Sequence, residues 1–212
     1  MSPTTRPAVE FLFDFVSPNA YLAWYPLKDV VVRTGARLEV SPVFLGGMHR
    51  LTGNAPPMIR DAEVKGKVEY GMLEIQRFIA KHGFDRYRLH PQFPFNSVTL
   101  QRMLLAVEGD DRVRLVDALL PALWEEGVPV DDPHAIGAVL AGAGFDAQAL
   151  FAATQDAAVK QALVDSTQNA VNRGAFGIPT FFVGAEMFFG KERLGQVEEE
   201  LRRSQAGRKP NS

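Results

Sequence analysis

Segments with the character of β-strands occur only near the two ends of this 212-residue chain. Near the start, residues 9–15 form a short apolar run, and residues 38–42 alternate apolar and polar side chains; both patterns predict strands. Near the end, residues 180–183 and 187–189 predict two strands paired across the Gly184-Ala185 turn. A sheet in this protein must therefore join the beginning of the chain to its end.

Helical periodicity fills the stretch between these strands. One helix is predicted to begin at Ser17, as N-cap, with Pro18 in its first position, and to end at Gly35. Apolar spacing predicts further helices near residues 64–79, 97–108, 112–126, after an Asp132-Pro133 cap, 146–153, 156–173 and 192–203. The order is thus β-α-β, a helical block, and β-β-α, so we expect one sheet with helices inserted between its halves.

The chain contains no cysteine. Disulfides, cysteine-based zinc sites, iron–sulfur clusters and a cysteine nucleophile of its own are therefore excluded. No metal site or Ser-His-Asp hydrolase is predicted either, because G-x-S-x-G is absent and neither metal spacing nor a triad order links the four histidines, His49, His82, His90 and His134. Thiol chemistry would need a thiol bound from outside.

Charge and hydropathy argue against two classes of partner. The chain has 23 basic and 25 acidic residues and a net charge of −2, so no nucleic-acid partner is expected. No apolar run approaches the ~18–20 residues of a membrane span, and residues 1–10 do not resemble a secretory signal. We expect a cytoplasmic protein without membrane association, ending in a disordered, solvated tail over residues 204–212.

Two positions carry potential chemistry at strand ends. Ser17 follows a strand and opens a helix, where unpaired N–H groups and the helix dipole stabilise an anion such as a thiolate. Simple N-capping is the alternative role for Ser17. Pro179 enters the strand at 180; a cis bond after Ile178 would leave the Ile178 backbone free to pair with an extended ligand. The sequence alone does not choose that isomer.

A third polar feature follows the turn-rich segment 52–57. On the helix after it, one side carries Lys67, Tyr70, Glu74 and Arg77, opposite apolar residues 64, 68, 75 and 79. This side is either a solvated face with ion pairs at spacings of three and four, or a polar wall for an anionic small molecule with Lys67 as its cation. Periodicity places these residues together but does not decide between the two.

Five separated motifs now combine into a family resemblance. They are FDFVSPNAYLA at 13–23, GNAPP at 53–57, the pattern K-x-x-Y-x-x-x-E-x-x-R at 67–77, FPFN at 93–96 and FGIPTF at 176–181. From about residue 9 to 201 the chain resembles the 2-hydroxychromene-2-carboxylate isomerases, which belong with kappa-class glutathione transferases and DsbA-like proteins. The resemblance implies an α/β thioredoxin-like domain, residues 8–50 and 175–203, interrupted by an all-helical insertion domain, residues 51–174.

The resemblance also implies glutathione as cofactor. Redox relatives carry C-x-x-C where this chain has Ser17-Pro18-Asn19-Ala20, so dithiol exchange by the protein itself is excluded. Ser17 is the implied catalytic residue, donating a hydrogen bond to the glutathione sulfur while the helix N-terminus lowers the pKa of the thiol. The implied cofactor-binding residues are Ser17, Asn54, Lys67, Ile178, a cis Pro179, Lys191 and Glu192. The implied substrate-binding residues are Lys67, Tyr70, Phe93 and Asn96.

Three residues depart from the family pattern. Glu74 and Glu192 stand where aspartate is usual, and Lys191 stands where a small or amide residue is common. Glu192 keeps the charge but moves its carboxylate outward by one methylene, which shifts its grip on an α-amino group. Glutathione affinity is the property most exposed to these changes.

The implied activity is the glutathione-dependent cis-trans isomerisation of a small aromatic carboxylate, 2-hydroxychromene-2-carboxylate, in aromatic hydrocarbon degradation. A thiolate adds to the double bond, rotation follows, and elimination restores the alkene and the thiol. The alternatives are a kappa-type glutathione transferase or peroxidase, which consumes glutathione, and a non-catalytic glutathione-binding protein. A homodimer is implied by the relatives, and the aromatic pocket has five lining candidates: Trp24, Phe44, Phe93, Phe95 and Asn96.

Overall fold

A computed structural model of the protein describes residues 6–206. These residues contain one four-stranded sheet in the order β2-β1-β3-β4. Its strands are β1 (Ala8–Phe13), β2 (Arg37–Pro42), β3 (Thr180–Val183) and β4 (Glu186–Phe189). Strand β1 pairs in parallel with β2 and antiparallel with β3, so the start and the end of the chain share one sheet, as the sequence predicts.

Two helices frame this sheet. Helix α1 (Pro18–Thr34) has the predicted cap at Ser17 and ends at Gly35, whose φ of 62° is left-handed. The chain returns through a 3₁₀ turn (Lys191–Arg193) into α10 (Leu194–Ala206), which packs beside α1. The expected start of the tail at residue 204 falls inside α10, and residues 207–212 lie outside the described part.

Eight further helices lie between β2 and β3 among the described residues. They are α2 (Leu45–Thr52), α3 (Pro57–Arg60), α4 (Lys67–His82), α5 (Val98–Leu105), α6 (Asp110–Trp124), α7 (Pro133–Gly142), α8 (Ala147–Ala153) and α9 (Ala157–Asn172). Six of them match predicted helices within a few residues, and Asp132 caps α7 as expected. The sequence patterns did not predict α2 and α3.

The start of α4 differs from the prediction. Val64 was expected on the apolar stripe of this helix, but Gly66 takes a left-handed φ of 83°, so the helix begins at Lys67 and Val64 lies in the preceding turn. Val64 and Met72 are 52% and 53% exposed, and α4 has no fully buried residue. The helix contacts the core through half-buried side chains only, among them Ile75, Phe78 and Ile79.

A single hydrophobic core runs through the sheet and the helical block. The rings of Phe11 and Phe181 stack at 5.1 Å between centroids, and Trp124 of α6 lies 5.9 Å from Phe95. Side chains of the sheet, α1, α5, α6 and α10 belong to this one cluster. The expected boundary between the two domains, at residues 50 and 51, falls within α2, and the division into a thioredoxin-like domain and a helical insertion domain remains a proposal.

Two features are absent from residues 6–206, the described part of the chain. None of their helices is both long enough and apolar enough for a membrane crossing. No three or more of their His, Asp and Glu side chains are grouped as a metal site would require.

Candidate active site

The turn between β1 and α1 presents Ser17 at the N-terminus of a 17-residue helix. The Ser17 hydroxyl oxygen accepts a hydrogen bond from the Ala20 N–H at 3.2 Å, and only 3% of Ser17 is exposed. Pro18 occupies the first helical position, where its missing N–H is not needed. Both the capping and the anion-site interpretations of Ser17 are compatible with this geometry.

The loop before β3 lies directly against Ser17. The Ser17 hydroxyl donates to the Ile178 carbonyl at 3.4 Å, a long hydrogen bond between residues 161 positions apart. The Ile178–Pro179 peptide bond is cis, the isomer that the family resemblance implied. The structure therefore brings together Ser17, Ile178 and Pro179.

Asn54 reaches the same loop from the segment between α2 and α3. Its side-chain Nδ2 donates to the Phe176 carbonyl at 2.7 Å, and its Oδ1 accepts from the Ala55 N–H at 2.9 Å. Asn54 thus ties this segment to the residues just before Ile178. The family resemblance implied that Asn54 contacts the cofactor and did not indicate this hydrogen bond to Phe176.

The 3₁₀ turn brings Lys191 and Glu192 to the other side of the loop. The Gly190 N–H donates to the Pro179 carbonyl at 2.9 Å, which fixes the turn against the cis bond. Lys191 is only 5% exposed; its ammonium pairs with the Glu192 carboxylate and lies 5.2 Å from the centroid of the Phe78 ring. These two residues form an ion pair with one buried and one half-exposed member.

Lys67 is engaged elsewhere in the structure. It is the first residue of α4, and its Nζ lies 2.9 Å from Asp61 Oδ1. Asp61 is 7% exposed and also takes two hydrogen bonds from Arg60, at 2.8 and 2.9 Å. Hydrogen bonds from Arg60 and then Lys67 hold the pKa of the Asp61 carboxyl well below its usual range. No described contact links Lys67 to Ser17 or to the cis-proline loop.

Two of the other polar residues on this side of α4, Glu74 and Arg77, pair with each other. Arg77 forms an ion pair with Glu74 one turn away, and its hydrogen bond is the main cause that lowers the pKa of Glu74. Tyr70 is 58% exposed. The solvated-face interpretation therefore describes these side chains, although Glu74 and Arg77 also line a cavity.

That cavity, of about 420 Å³, lies between α1, α4, the 3₁₀ turn and α10. Its polar lining includes Arg33, Glu74, Arg77, Lys81, Lys191 and Glu192. Ser17 is not among the lining residues, so the cavity adjoins the predicted thiol site at its Lys191–Glu192 end and does not contain it.

The aromatic lining candidates have mainly structural contacts. Phe93 precedes a cis proline and lies 5.9 Å from the ring of Trp124, whose Nε1 donates to the Phe15 carbonyl at 3.0 Å. Asn96 Oδ1 accepts from the Val98 N–H at 3.0 Å at the start of α5. These contacts place Phe93 against Trp124, which reaches the β1–α1 turn, and Asn96 at the start of α5.

Trp24 is wrong as a lining residue. Its side chain is fully buried, and its Nε1 donates to Asp117 at 2.7 Å. The hydrophobic core, rather than a ligand, covers this side chain. Phe95, also buried, packs on His90 at 4.8 Å.

Asp14 is the important residue near the site for which sequence reasoning assigned no role. It is fully buried three residues before Ser17, and burial raises the pKa of its carboxyl to about 6. The signal in the sequence was an aspartate that interrupts the apolar run from Phe11 to Val16. Such an interruption also fits the end of a strand, so it did not stand out.

Comparisons with known proteins agree with this architecture. Residues 8–202 match the family model of the DSBA-like thioredoxin domain. The chain is 30% identical to the 2-hydroxychromene-2-carboxylate isomerase of Sphingobium xenophagum, over 91% of this chain and 97% of that protein. It is 25% identical to human glutathione S-transferase kappa 1, over 92% and 90% of the two chains.

Solved structures give the same result. The structure of a 2-hydroxychromene-2-carboxylate isomerase superposes with a TM-score of 0.80 at 27% identity, covering 94% of this chain and 97% of that one. A probable DsbA oxidoreductase from Streptomyces coelicolor shares the fold, with a TM-score of 0.75 at 18% identity over 98% and 93% of the two chains. The chain therefore belongs to the DSBA-like thioredoxin family and, within it, to the 2-hydroxychromene-2-carboxylate isomerases.

Proposed function

We propose that this protein is a glutathione-dependent isomerase that converts 2-hydroxychromene-2-carboxylate into trans-o-hydroxybenzylidenepyruvate in the cytoplasm. The observation that carries the proposal is the contact between Ser17, at the N-terminus of α1, and Ile178, before the cis proline. This is an anion site in a thioredoxin-like turn of a protein that has no cysteine. Relatives named as these isomerases, similar over nine-tenths of the chain, support the choice of reaction.

The residues present fit glutathione. The long 3.4 Å bond from the Ser17 hydroxyl to Ile178 is easily exchanged for a bond to a thiolate. The Lys191–Glu192 pair offers one cation and one carboxylate, which together match the carboxylate and ammonium of a γ-glutamyl end. Bound glutathione supplies a thiolate that adds reversibly to a conjugated double bond and so permits rotation about it.

The protein's own groups then orient the bound glutathione and stabilise the negative charge on its thiolate and on the substrate carboxylate. The Ser17 hydroxyl and the first N–H groups of α1 favour the ionised form of a thiol beside them. The Ile178 backbone and Asn54 fix the position of the bound tripeptide. Because Lys67 is paired with Asp61, its charge acts on a substrate carboxylate only as part of the Arg60–Asp61–Lys67 group, whose formal charge is +1.

Product analysis tests the proposal. Purified protein is incubated with 2-hydroxychromene-2-carboxylate, with and without glutathione, while the product and the free thiol are measured. We expect conversion that requires glutathione and leaves the amount of free thiol unchanged after many turnovers. Stoichiometric loss of thiol would instead identify a kappa-type transferase, which the similarity to human glutathione S-transferase kappa 1 makes the second candidate.

Calorimetry with glutathione, read together with the product analysis, separates both enzymes from the third possibility. A non-catalytic glutathione-binding protein would bind glutathione without forming product or consuming thiol, whereas an enzyme of another pathway that keeps only the scaffold would show no binding at millimolar glutathione. Binding weakened by Glu192→Gln but not by Glu186→Gln, an exposed glutamate on β4, would support the γ-glutamyl contact proposed for Glu192.

We propose that the protein acts as a homodimer. In support, the surface formed by α3, α4 and the turn between them exposes large apolar side chains: Met58, Ile59, Val64, Met72 and Leu73, each between 41% and 66% exposed. Light scattering should give twice the chain mass, and Ile59→Asp should reduce it to one chain. A monomeric wild-type protein at micromolar concentration would contradict the proposal.

A further inference from the structure

The carboxyl group of Asp14 lies directly behind the turn that presents Ser17. Asp14 Oδ1 accepts a hydrogen bond from the Val16 N–H at 3.1 Å, and the backbone carbonyl of Asp14 accepts one from the Ser17 N–H at 3.1 Å. Asp14 is fully buried. The side chain and the backbone of one residue thus shape the whole turn.

The other carboxylate oxygen holds the start of α2. Asp14 Oδ2 accepts a hydrogen bond from the Leu45 N–H at 2.7 Å, and Leu45 is the first residue of that helix. The N-cap residue, Phe44, has no side-chain acceptor, so Asp14 supplies the cap from 31 residues away. Helix α2 leads to Asn54, which binds the Phe176 carbonyl just before the cis-proline loop. Asp14 therefore connects the Ser17 turn to the segment that holds this loop.

Helix α5 closes the surroundings of this carboxyl group. Gln101 donates from Nε2 to the Phe13 carbonyl at 2.6 Å and to the Val43 carbonyl at 2.8 Å. The Ser97 hydroxyl is buried beside the carboxyl and has no hydrogen-bond partner of good geometry among the described residues. The carboxyl is therefore enclosed by neutral polar groups and by apolar side chains.

These surroundings raise the pKa of the Asp14 carboxyl above its ordinary value of 3.8. Burial raises the pKa of its carboxyl to about 6, against the lowering effects of the Leu45 N–H, the Ser97 hydroxyl and the Val16 N–H. In the described part of the chain, no charged side chain of the turn, α2 or α5 contributes to this pKa. Protonation removes the charge that the α2 N-terminus stabilises and weakens both N–H bonds.

We propose that Asp14 is a positioning residue for the thiol site: its ionised carboxylate holds the Ser17 turn and the start of α2 in one arrangement, and protonation weakens the two hydrogen bonds that hold it while the carboxyl stays buried. Asp14 does not touch the bound molecules, because its side chain is fully enclosed. The effect on turnover rests on the proposed isomerase function. The coupling between the Asp14 carboxyl and the Val16 and Leu45 amides does not depend on that function.

Replacing the carboxylate by an amide tests the proposal. Asp14→Asn keeps the size of the side chain but offers one oxygen to two N–H donors, so one bond is lost. We expect kcat/KM at pH 7.5 to fall about tenfold to a hundredfold. In the wild-type protein we expect kcat/KM to fall toward low pH, with the midpoint of this acid limb near the pKa of Asp14. The acid limb should disappear in the variant. Asp165→Asn, an exposed aspartate on α9, is the matched control and should change neither.

A second variant covers the case in which Asp14→Asn does not fold. Ser97→Ala removes a group that lowers the pKa of Asp14, so it should move the acid limb to higher pH. An acid limb that stays in place in Ser97→Ala would belong to the bound thiol and would overturn the proposal.

Nuclear magnetic resonance tests the coupling without any activity. In the wild-type protein, the amide signals of Val16 and Leu45 should titrate with the same midpoint as the Asp14 carboxyl carbon, and Ser97→Ala should shift all three together. If the amides do not follow the carboxyl, the proposal is wrong even for an active isomerase. If they follow it in a protein without isomerase activity, only the proposed function fails.

Discussion

Replacing Ser17 by alanine separates the two roles that its geometry allows. In the structure the hydroxyl caps α1 by accepting from the Ala20 N–H, and it donates its proton to the Ile178 carbonyl. A bound thiolate would accept this hydrogen bond from the Ser17 hydroxyl in place of the Ile178 carbonyl. The substitution therefore affects the stability of the helix through one bond and the acidity of the thiol through the other.

The two effects differ in size and in what they change. Loss of the cap costs about 1 kcal/mol, which lowers the Tm of a chain of this length by about 2–4 °C. Loss of a charge-assisted hydrogen bond to a thiolate costs about 1.5–3 kcal/mol. Since one pKa unit corresponds to about 1.4 kcal/mol, the pKa of bound glutathione should rise by about 1–2 units.

The ultraviolet absorbance of the thiolate, followed against pH for the glutathione complex, measures this pKa directly. Ser17→Thr keeps both the hydroxyl and the cap, and should behave like the wild-type protein. Asp132→Ala removes a different helix cap, that of α7, and should lower the Tm without changing the thiol titration. If Ser17→Ala lowers the Tm but leaves the thiol pKa unchanged, Ser17 is only a cap.

Three further predictions test the surroundings of the site. Because the pKa of Asp14 is about 6 in the folded protein against an ordinary 3.8, its contribution to stability is greatest below pH 3.8 and declines by about 3 kcal/mol as the pH rises through 6. Urea unfolding of wild type and Asp14→Asn should show a difference that changes with pH by this amount; a constant difference would contradict it. Gly177→Ala would put a Cβ 2.8 Å from the Phe189 ring; because this ring is 37% exposed and can shift, we expect a loss of about 1 kcal/mol of stability, measured by thermal unfolding. Asn54→Ala removes the bond to Phe176 and should weaken glutathione binding in calorimetry while barely changing the Tm.

Local chemistry made parts of the fold predictable. Ser17-Pro18 and Asp132-Pro133 each combine a capping side chain with a proline at the first helical position, and both helices begin there. Such signals act over three or four residues and need no knowledge of the rest of the chain. Strand β3 was predicted to the residue, and its four side chains, three apolar and one threonine, are all buried.

Helix α2 escaped prediction because its cap is not local. The sequence before Leu45 offers Phe44, which cannot accept a hydrogen bond, and the acceptor comes instead from Asp14. Only the pairing of β1 with β2 brings these residues together. A pattern read along the chain has no access to a contact that the sheet creates.

The same reason limited the prediction of the site. The family resemblance correctly implied the cis bond at Pro179, and the structure places Ser17 beside Ile178. It did not indicate that Lys67 would be paired with Asp61, because a turn before α4 decides which carboxylate its ammonium reaches. The roles of Asn54 and Glu192 toward glutathione remain proposals for the same reason.

The N-termini of α1 and α2 both lie close to Asp14, and they are capped by different kinds of group. The N-terminus of α2 receives a buried carboxylate of the protein itself, Asp14. The N-terminus of α1 receives only the neutral hydroxyl of Ser17, and its first turn has no acidic residue. A helix N-terminus stabilises negative charge, and within residues 6–206 no side-chain anion caps α1. This difference supports the proposal that the thiolate of a bound cofactor occupies the turn, because the chain has no cysteine to supply one.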